Sequence, residues 1–429
     1  MPENAPNIVT YVSPVSTELA LALEAANRIT LRNGGYDYLI YRAADTYYAI
    51  RYDGIIEFSG TDFTTVIQAA HDAIPENDGV PGNQSGSGGT ILLSSYQPDA
   101  TDFYFVVNST IVITKNITIR ALGNPKRLPV LQLGNGANCD MIQIGVDGGS
   151  SNHNIITIDG LRITGNKENQ TEVCSGIVVK GTANEYVITD CEIRAFTGYS
   201  IYINNPRANQ AWNTIAECWL LSSDLGQLCV DIPSGGTQVE LYVRNCYFLS
   251  SVATIPGISY TGNAGSRSMY IIGCRFWTCG VVINQTARNF LIQGNIFSFT
   301  VAADYAIKFT ANVANRTVNA IVVANSFIGT ITAPVSIEAN NSRITVTDNQ
   351  YPTAVAVVAG SGNDEIYVSH NGEHRTQQRA PSFRADLATG FYVGPDDADG
   401  SWRIATSGTA LVFSRREAGV WVQKGTFTA

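Results

Sequence analysis

The sequence predicts an all-β chain folded as a right-handed parallel β-helix, a solenoid with a capping helix in front and a small β-domain behind. Three observations predict it. A short apolar motif recurs eight times between residues 155 and 351. A second strand-like motif alternates with it. Gly, Asn, Ser and Thr, which form turns, separate the two. A helical solenoid fits less well, because the repeats are rich in β-branched residues and alternate with period two.

Residues 1–57 read as a helix (ELALALEAANR, 18–28) followed by a small β-hairpin module (YDYLIYRAADTYYAIRYDGIIEFSGTD, 36–62). The 18–28 stretch is too short and too charged to span a membrane. The start of the chain has no basic region followed by an apolar run, so cytoplasmic synthesis without a signal peptide is expected.

The solenoid is expected over 58–371. It opens on TDFTTVIQAAHDAI (61–74), where Val66, Ile67, Ala70 and Ile74 fall at helical spacing behind an N-cap at Asp62 or Thr61. A solenoid exposes an apolar edge at each end, and this helix would cover the first. A loose Gly-rich stretch (75–89) then leads to the strands TILLSS (90–95), FYFVV (103–107) and IVITKNITIRAL (111–122).

The repeat itself can be anchored on Leu161, Cys191, Cys218, Cys246, Cys274, Asn295, Asn325 and Asn349, with spacings of 30, 27, 28, 28, 21, 30 and 24 residues. Three residues before each anchor stand Ile158, Ile188, Ile215, Val243, Ile271, Ile292, Val322 and Val346. Two residues after stand Ile163, Ile193, Leu220, Phe248, Phe276, Phe297, Phe327 and Tyr351. Both columns are apolar throughout, so coils stacked about 4.8 Å apart would share one interior. The four anchor cysteines should form an inward ladder of free thiols, and the Asn anchors should hydrogen-bond along the stack. The second motif reads GIVVK (176–180), SIYIN (200–204), CVDIP (229–233), GISYT (257–261), GVVIN (280–284), AIKFT (306–310) and VSIEA (335–339). Residues 372–429 form the C-terminal β-rich domain, with strands at 390–394, 400–405, 410–417 and 420–429.

Composition excludes several classes. Charged residues are 15% of the chain and hydrophobic ones 45%, so a packed core is expected rather than disorder. The net charge of −9 comes without a basic patch, which argues against nucleic acid as a partner. The eight cysteines include no CxxC, and no nucleotide loop, HExxH or GxSxG motif occurs. No metal site and no cofactor is expected.

Two resemblances follow from particular residues. DFTTVIQAAHDA (62–73), a Gly-rich loop and GGTILL (88–93) together resemble the entry of the pectate-lyase-like β-helix superfamily, a likeness running over about residues 58–370. GSWRI (400–404), LVFSRR (411–416) and VWVQKG (420–425) resemble the β-rich endings of phage and archaeal-virus tail-spike and tail-fibre proteins. The second likeness implies a virion tail location or an extracellular one, a homotrimer, and contacts with other tail components.

Fold alone does not give function, so the site must come from residues. Glycoside hydrolysis needs two carboxylates flanking the scissile bond. Asp190 and Glu217 each precede an anchor on successive coils, although their column continues as Asn245, Gly273, Gly294 and Ala324, as a turn would. On the second motif the outward column reads Val178, Tyr202, Asp231, Ser259, Val282, Lys308 and Ser336. Asp231 with Tyr202 and nearby Asp224 therefore offers a sugar site. After the anchor, the outward column reads Arg162, Glu192, Trp219, Tyr247, Arg275 and Ile296. Trp219 against Tyr247 suits a sugar ring or a partner subunit. The expectation is a tail-spike-like structural protein that binds a host-surface polysaccharide or protein. The alternative is a polysaccharide hydrolase or lyase using those carboxylates.

Overall fold

The computed structural model describes residues 36–75, 88–94, 104–122, 129–146, 155–181, 183, 185–204, 213–232, 240–261, 268–284, 289–310, 317–351, 357–359, 363–370, 373–377, 384–386, 390–393, 402–407 and 410–428. The expected 18–28 helix lies outside them. No helix among the described residues is long and apolar enough to cross a membrane.

The chain is a right-handed parallel β-helix. Each coil contributes one strand to a first sheet and, to a second, two short strands or, in later coils, one long strand such as Ile296–Phe309 or Ser326–Ile337. In the first sheet eleven parallel strands stack in chain order, from Gly89–Ser94 through Ile156–Asp159 and Glu240–Arg244 to Asp364–His370. The expected 111–122 strand is two strands: Ile111–Ile113 belongs to the second sheet and Ile117–Leu122 to the first.

Register is strict. Ile158 pairs with Ile188, Ile188 with Ile215, and Ile215 with Val243. Side chains alternate across a strand, so these residues all point inward, and each is fully buried. At roughly 1.5–3 kcal/mol per buried aliphatic side chain, this column is a main source of cohesion.

A tight turn joins the first sheet to the second. Its key residue adopts a left-handed conformation in coil after coil: Gly160, Asp190, Glu217, Asn245, Gly273, Gly294, Ala324 and Asp348 all have φ between 50° and 70°. Gly, Asn and Asp tolerate that region best, which accounts for the composition of the column.

The anchor that follows is buried in every coil, and from Cys191 onward it is a donor that meets carbonyls flanking the turn. Cys218 donates to the carbonyls of Ala216 (3.2 Å) and Ile188 (3.5 Å). Asn325 donates to the equivalent pair, Val323 (3.1 Å) and Ile292 (2.9 Å). A thiol and a carboxamide thus do the same job. The amide does more: Asn295 Nδ2 donates to Asn325 Oδ1, and Asn325 Nδ2 to Asn349 Oδ1, both at 2.9 Å. All eight cysteines are free.

Inward side chains of the second sheet form an aromatic stack. Phe248, Phe276, Phe297, Phe327 and Tyr351 lie face to face at centroid separations of 4.7, 4.5, 5.2 and 5.3 Å.

The helix Phe63–Ala73 closes the first coil. Asp62 is its N-cap and accepts from Thr65 N at 3.0 Å. The helix buries Phe63, Val66, Ile67 and Ala70. Its polar residues satisfy strand edges that would otherwise lack partners. Gln68 accepts from Val112 N (3.0 Å) and donates to Val112 O (3.1 Å). Buried His71 accepts at Nε2 from Thr114 N (3.2 Å), and its Nδ1 faces Asp72 at 2.7 Å.

Ahead of the helix, the antiparallel strands Tyr38–Ala43, Thr46–Arg51 and Ile56–Gly60 extend the first sheet, with Tyr38 to Ile40 running parallel to Ile91 to Leu93. At the other end, five antiparallel strands between Arg384 and Thr428 form a separate small sheet.

Candidate functional site

Two outward faces of the solenoid collect side chains able to hold a ligand. The first is on the first sheet. Alternation turns Tyr242, Tyr270, Leu291, Ile321, Thr345 and Tyr367 outward on six successive strands in register. Tyr242 and Tyr270 stack at 4.6 Å and 7°. From Tyr270 onward the row lines an open cleft of about 460 Å³. Asn289, Asn319 and Arg343 form one rim, each in the left-handed region with φ of 60°, 51° and 57°. Asn319 Nδ2 donates to Asn289 Oδ1 at 3.2 Å. Asn occupies such backbone readily, whereas for Arg343 it is strained. Strain of this kind collects at binding sites.

The second face is on the second sheet and holds most of the residues expected from sequence. Trp219, Tyr247 and Arg275 follow one another in register. Trp219 is 43% exposed. The rings of Trp219 and Tyr247 are 5.9 Å apart and tilted by 57°, so they touch without stacking flat. The Arg275 guanidinium lies 6.0 Å from the Tyr247 centroid and 5.5 Å from that of Trp277. Burial pushes the Tyr247 phenol above its ordinary value, against the pull of Arg275.

The acidic candidates are dispersed. Asp190 and Glu217 occupy the left-handed turn, φ 50° and 57°, where each backbone N–H bonds to the next coil. Asp224 is exposed and pairs with Lys167 Nζ at 2.8 Å. Asp231 accepts from the Tyr202 hydroxyl at 3.2 Å, and Asn204 Nδ2 donates to the same hydroxyl at 3.2 Å. Burial and the Asp231 charge push the Tyr202 phenol up to about 12.

The register corrects one column. Tyr202 pairs with Cys229, not Asp231, and Asp231 pairs with Asn204. The slip is two residues, which keeps Asp231 outward and leaves its carboxylate within reach of Tyr202.

No family model and no curated protein matches this sequence. Among solved structures, the chain is similar to a protein of Geobacillus virus E2, ORF18, at 14% identity and a TM-score of 0.52, over 86% of this chain and 73% of that one. It is similar to an alginate lyase from a Paenibacillus species at 16% identity and a TM-score of 0.48, over 70% and 97% of the two chains. It is similar to the Dettilon tailspike protein at 15% identity and a TM-score of 0.41, over 83% and 74%. At such identities the likeness is one of fold. The fold is the right-handed parallel β-helix.

On this β-helix the cleft residues were not singled out by the sequence reading. A signal was present: four residues before the last five anchors the column reads Tyr242, Tyr270, Leu291, Ile321 and Thr345, unusually apolar for outward positions. Arg275 and Trp277 carried no such signal, since their meaning comes from rings that only the coiling brings together.

Proposed function

We propose that this chain is a tail-spike-like component of a virion that binds a host-surface polysaccharide. The observation that carries the reading is the outward row Tyr270, Leu291, Ile321, Thr345 and Tyr367, which lines a cleft with an amide rim on a rigid sheet. Aromatic faces with a few fixed polar groups are what a sugar chain requires. The row crosses four rung spacings, about 19 Å, enough for several sugar units. The viral source of one structure with the same fold supports a place on a virion, and the resemblance of residues 400–425 to tail-fibre endings supports a homotrimer docked to other tail components. The three-part division at residues 57 and 371 belongs to the same proposal: a docking N-terminus, a binding solenoid and a C-terminal tail domain.

A depolymerase would need two carboxylates facing each other across a groove. Asp190 and Glu217 serve a turn, while Asp224 and Asp231 are engaged by Lys167 and Tyr202. None of the four lines the cleft, so binding is the better reading.

The test is titration of the full chain with polysaccharide from the host surface, with reducing ends assayed in parallel. Binding without new reducing ends is expected. Tyr270→Ala with Tyr367→Ala should weaken it roughly tenfold, from about 0.5–1.5 kcal/mol per aromatic contact. No binding defeats the proposal, and release of reducing ends replaces it with the enzymatic alternative.

A further inference from the structure

Resting on the glycan-binding reading, we infer that Trp219, Tyr247, Arg275 and Trp277 form a subsite for a carboxylate-bearing sugar, distinct from the cleft on the first sheet. Charge carries the argument. Arg275 is exposed and makes no ion pair with any described residue. Farther along the same sheet, Arg162 and Arg194 share one carboxylate, with Nε at 3.1 and 3.5 Å from Glu192 Oε1. In a chain of net charge −9, Arg275 is thus a cation with no carboxylate partner among the described residues.

What holds it is aromatic. The Tyr247 and Trp277 rings lie 6.0 and 5.5 Å from the guanidinium, which limits its freedom before any ligand arrives. A guanidinium fork matches a carboxylate in bidentate geometry. Trp219 stands two rungs away, about 10 Å, and is 43% exposed. Its indole offers an apolar face to the neighbouring sugar of the same chain. One acidic group beside one or more ring faces describes a uronate- or sialate-containing saccharide.

The experiment uses the full chain on an array of uronate- and sialate-containing oligosaccharides, each beside its carboxyl-reduced counterpart. Acidic members should bind, and their reduced partners should bind at least tenfold more weakly. Arg275→Ala should lower binding of the acidic members roughly tenfold to hundredfold, the range for a charged hydrogen bond, with sedimentation unchanged. Arg275→Lys keeps the charge but loses the fork, and should fall between the two. Equal binding of acidic and reduced members, or no effect of Arg275→Ala, overturns the subsite and leaves the cleft reading standing. Failure to bind any member while host polysaccharide still binds also overturns the subsite; failure to bind host polysaccharide as well defeats the glycan-binding reading itself. Altered sedimentation of Arg275→Ala would make the patch a subunit contact and overturn the subsite as well.

Discussion

Phe297→Ala is expected to destabilise the solenoid by about 3–5 kcal/mol, the cost of truncating a fully buried aromatic. Phe297 is 0% exposed and lies between Phe276 at 4.5 Å and Phe327 at 5.2 Å, both nearly parallel to it. Truncation opens a cavity and removes two ring contacts, each worth about 0.5–1.5 kcal/mol. Collapse around the gap is restricted, because the rungs above and below are tied by backbone ladders. A solenoid need not unfold in one step. The measurement is therefore hydrogen exchange of the coils at 290–337, alongside the urea midpoint. Exchange should accelerate there first. A stability from the urea curve within about 1 kcal/mol of the parent's would show that the stack is not a cohesive unit.

Asn325→Ala should be nearly as damaging, at about 4 kcal/mol, from two or more buried groups left unsatisfied at 1–3 kcal/mol each. The Asn325 amide donates to Ile292 O, Val323 O and Asn349 Oδ1, and its Oδ1 accepts both the backbone N–H and the side-chain amide of Asn295. Asn325→Cys should recover part of the loss. Cys191, Cys218, Cys246 and Cys274 hold the same place in earlier coils and donate to the same two carbonyls. Equal loss for Ala and Cys in denaturation curves would mean that the column needs volume rather than donors.

The interior was legible in the sequence because each coil repeats the same demands. An apolar side chain three before the anchor, a turn residue one before it and another apolar side chain two after it are fixed by period-two alternation and one tight turn. Those constraints act on neighbours in sequence, so Ile188, Asp190, Cys191 and Ile193 announce themselves. The two-residue slip at Asp231 shows the limit. A shift by one would have turned apolar residues outward, but a shift by two preserves the alternation, and Leu228, Val230 and Ile232 satisfy either alignment. The cleft was harder for a related reason. Tyr270, Leu291, Ile321, Thr345 and Tyr367 sit 21, 30, 24 and 22 residues apart, and each alone is an unremarkable outward strand residue. The environment of Arg275 depends on Trp277 two positions on and Tyr247 one coil back, a triangle that no single period in the sequence contains.

The cleft assignment, which carries the functional reading, depends on rungs lying directly over one another in the first sheet. Spin labels at Thr214 paired with Leu291, Ile321 or Thr345, each introduced as cysteine with Cys139→Ser to limit background labelling, test this by electron–electron distance measurement. These positions are three, four and five strands apart in the stacking order. Mean separations should rise from about 14 to 19 to 24 Å, one rung spacing at each step. Separations that fail to increase in that order would contradict the stacking, and the cleft would lose its basis.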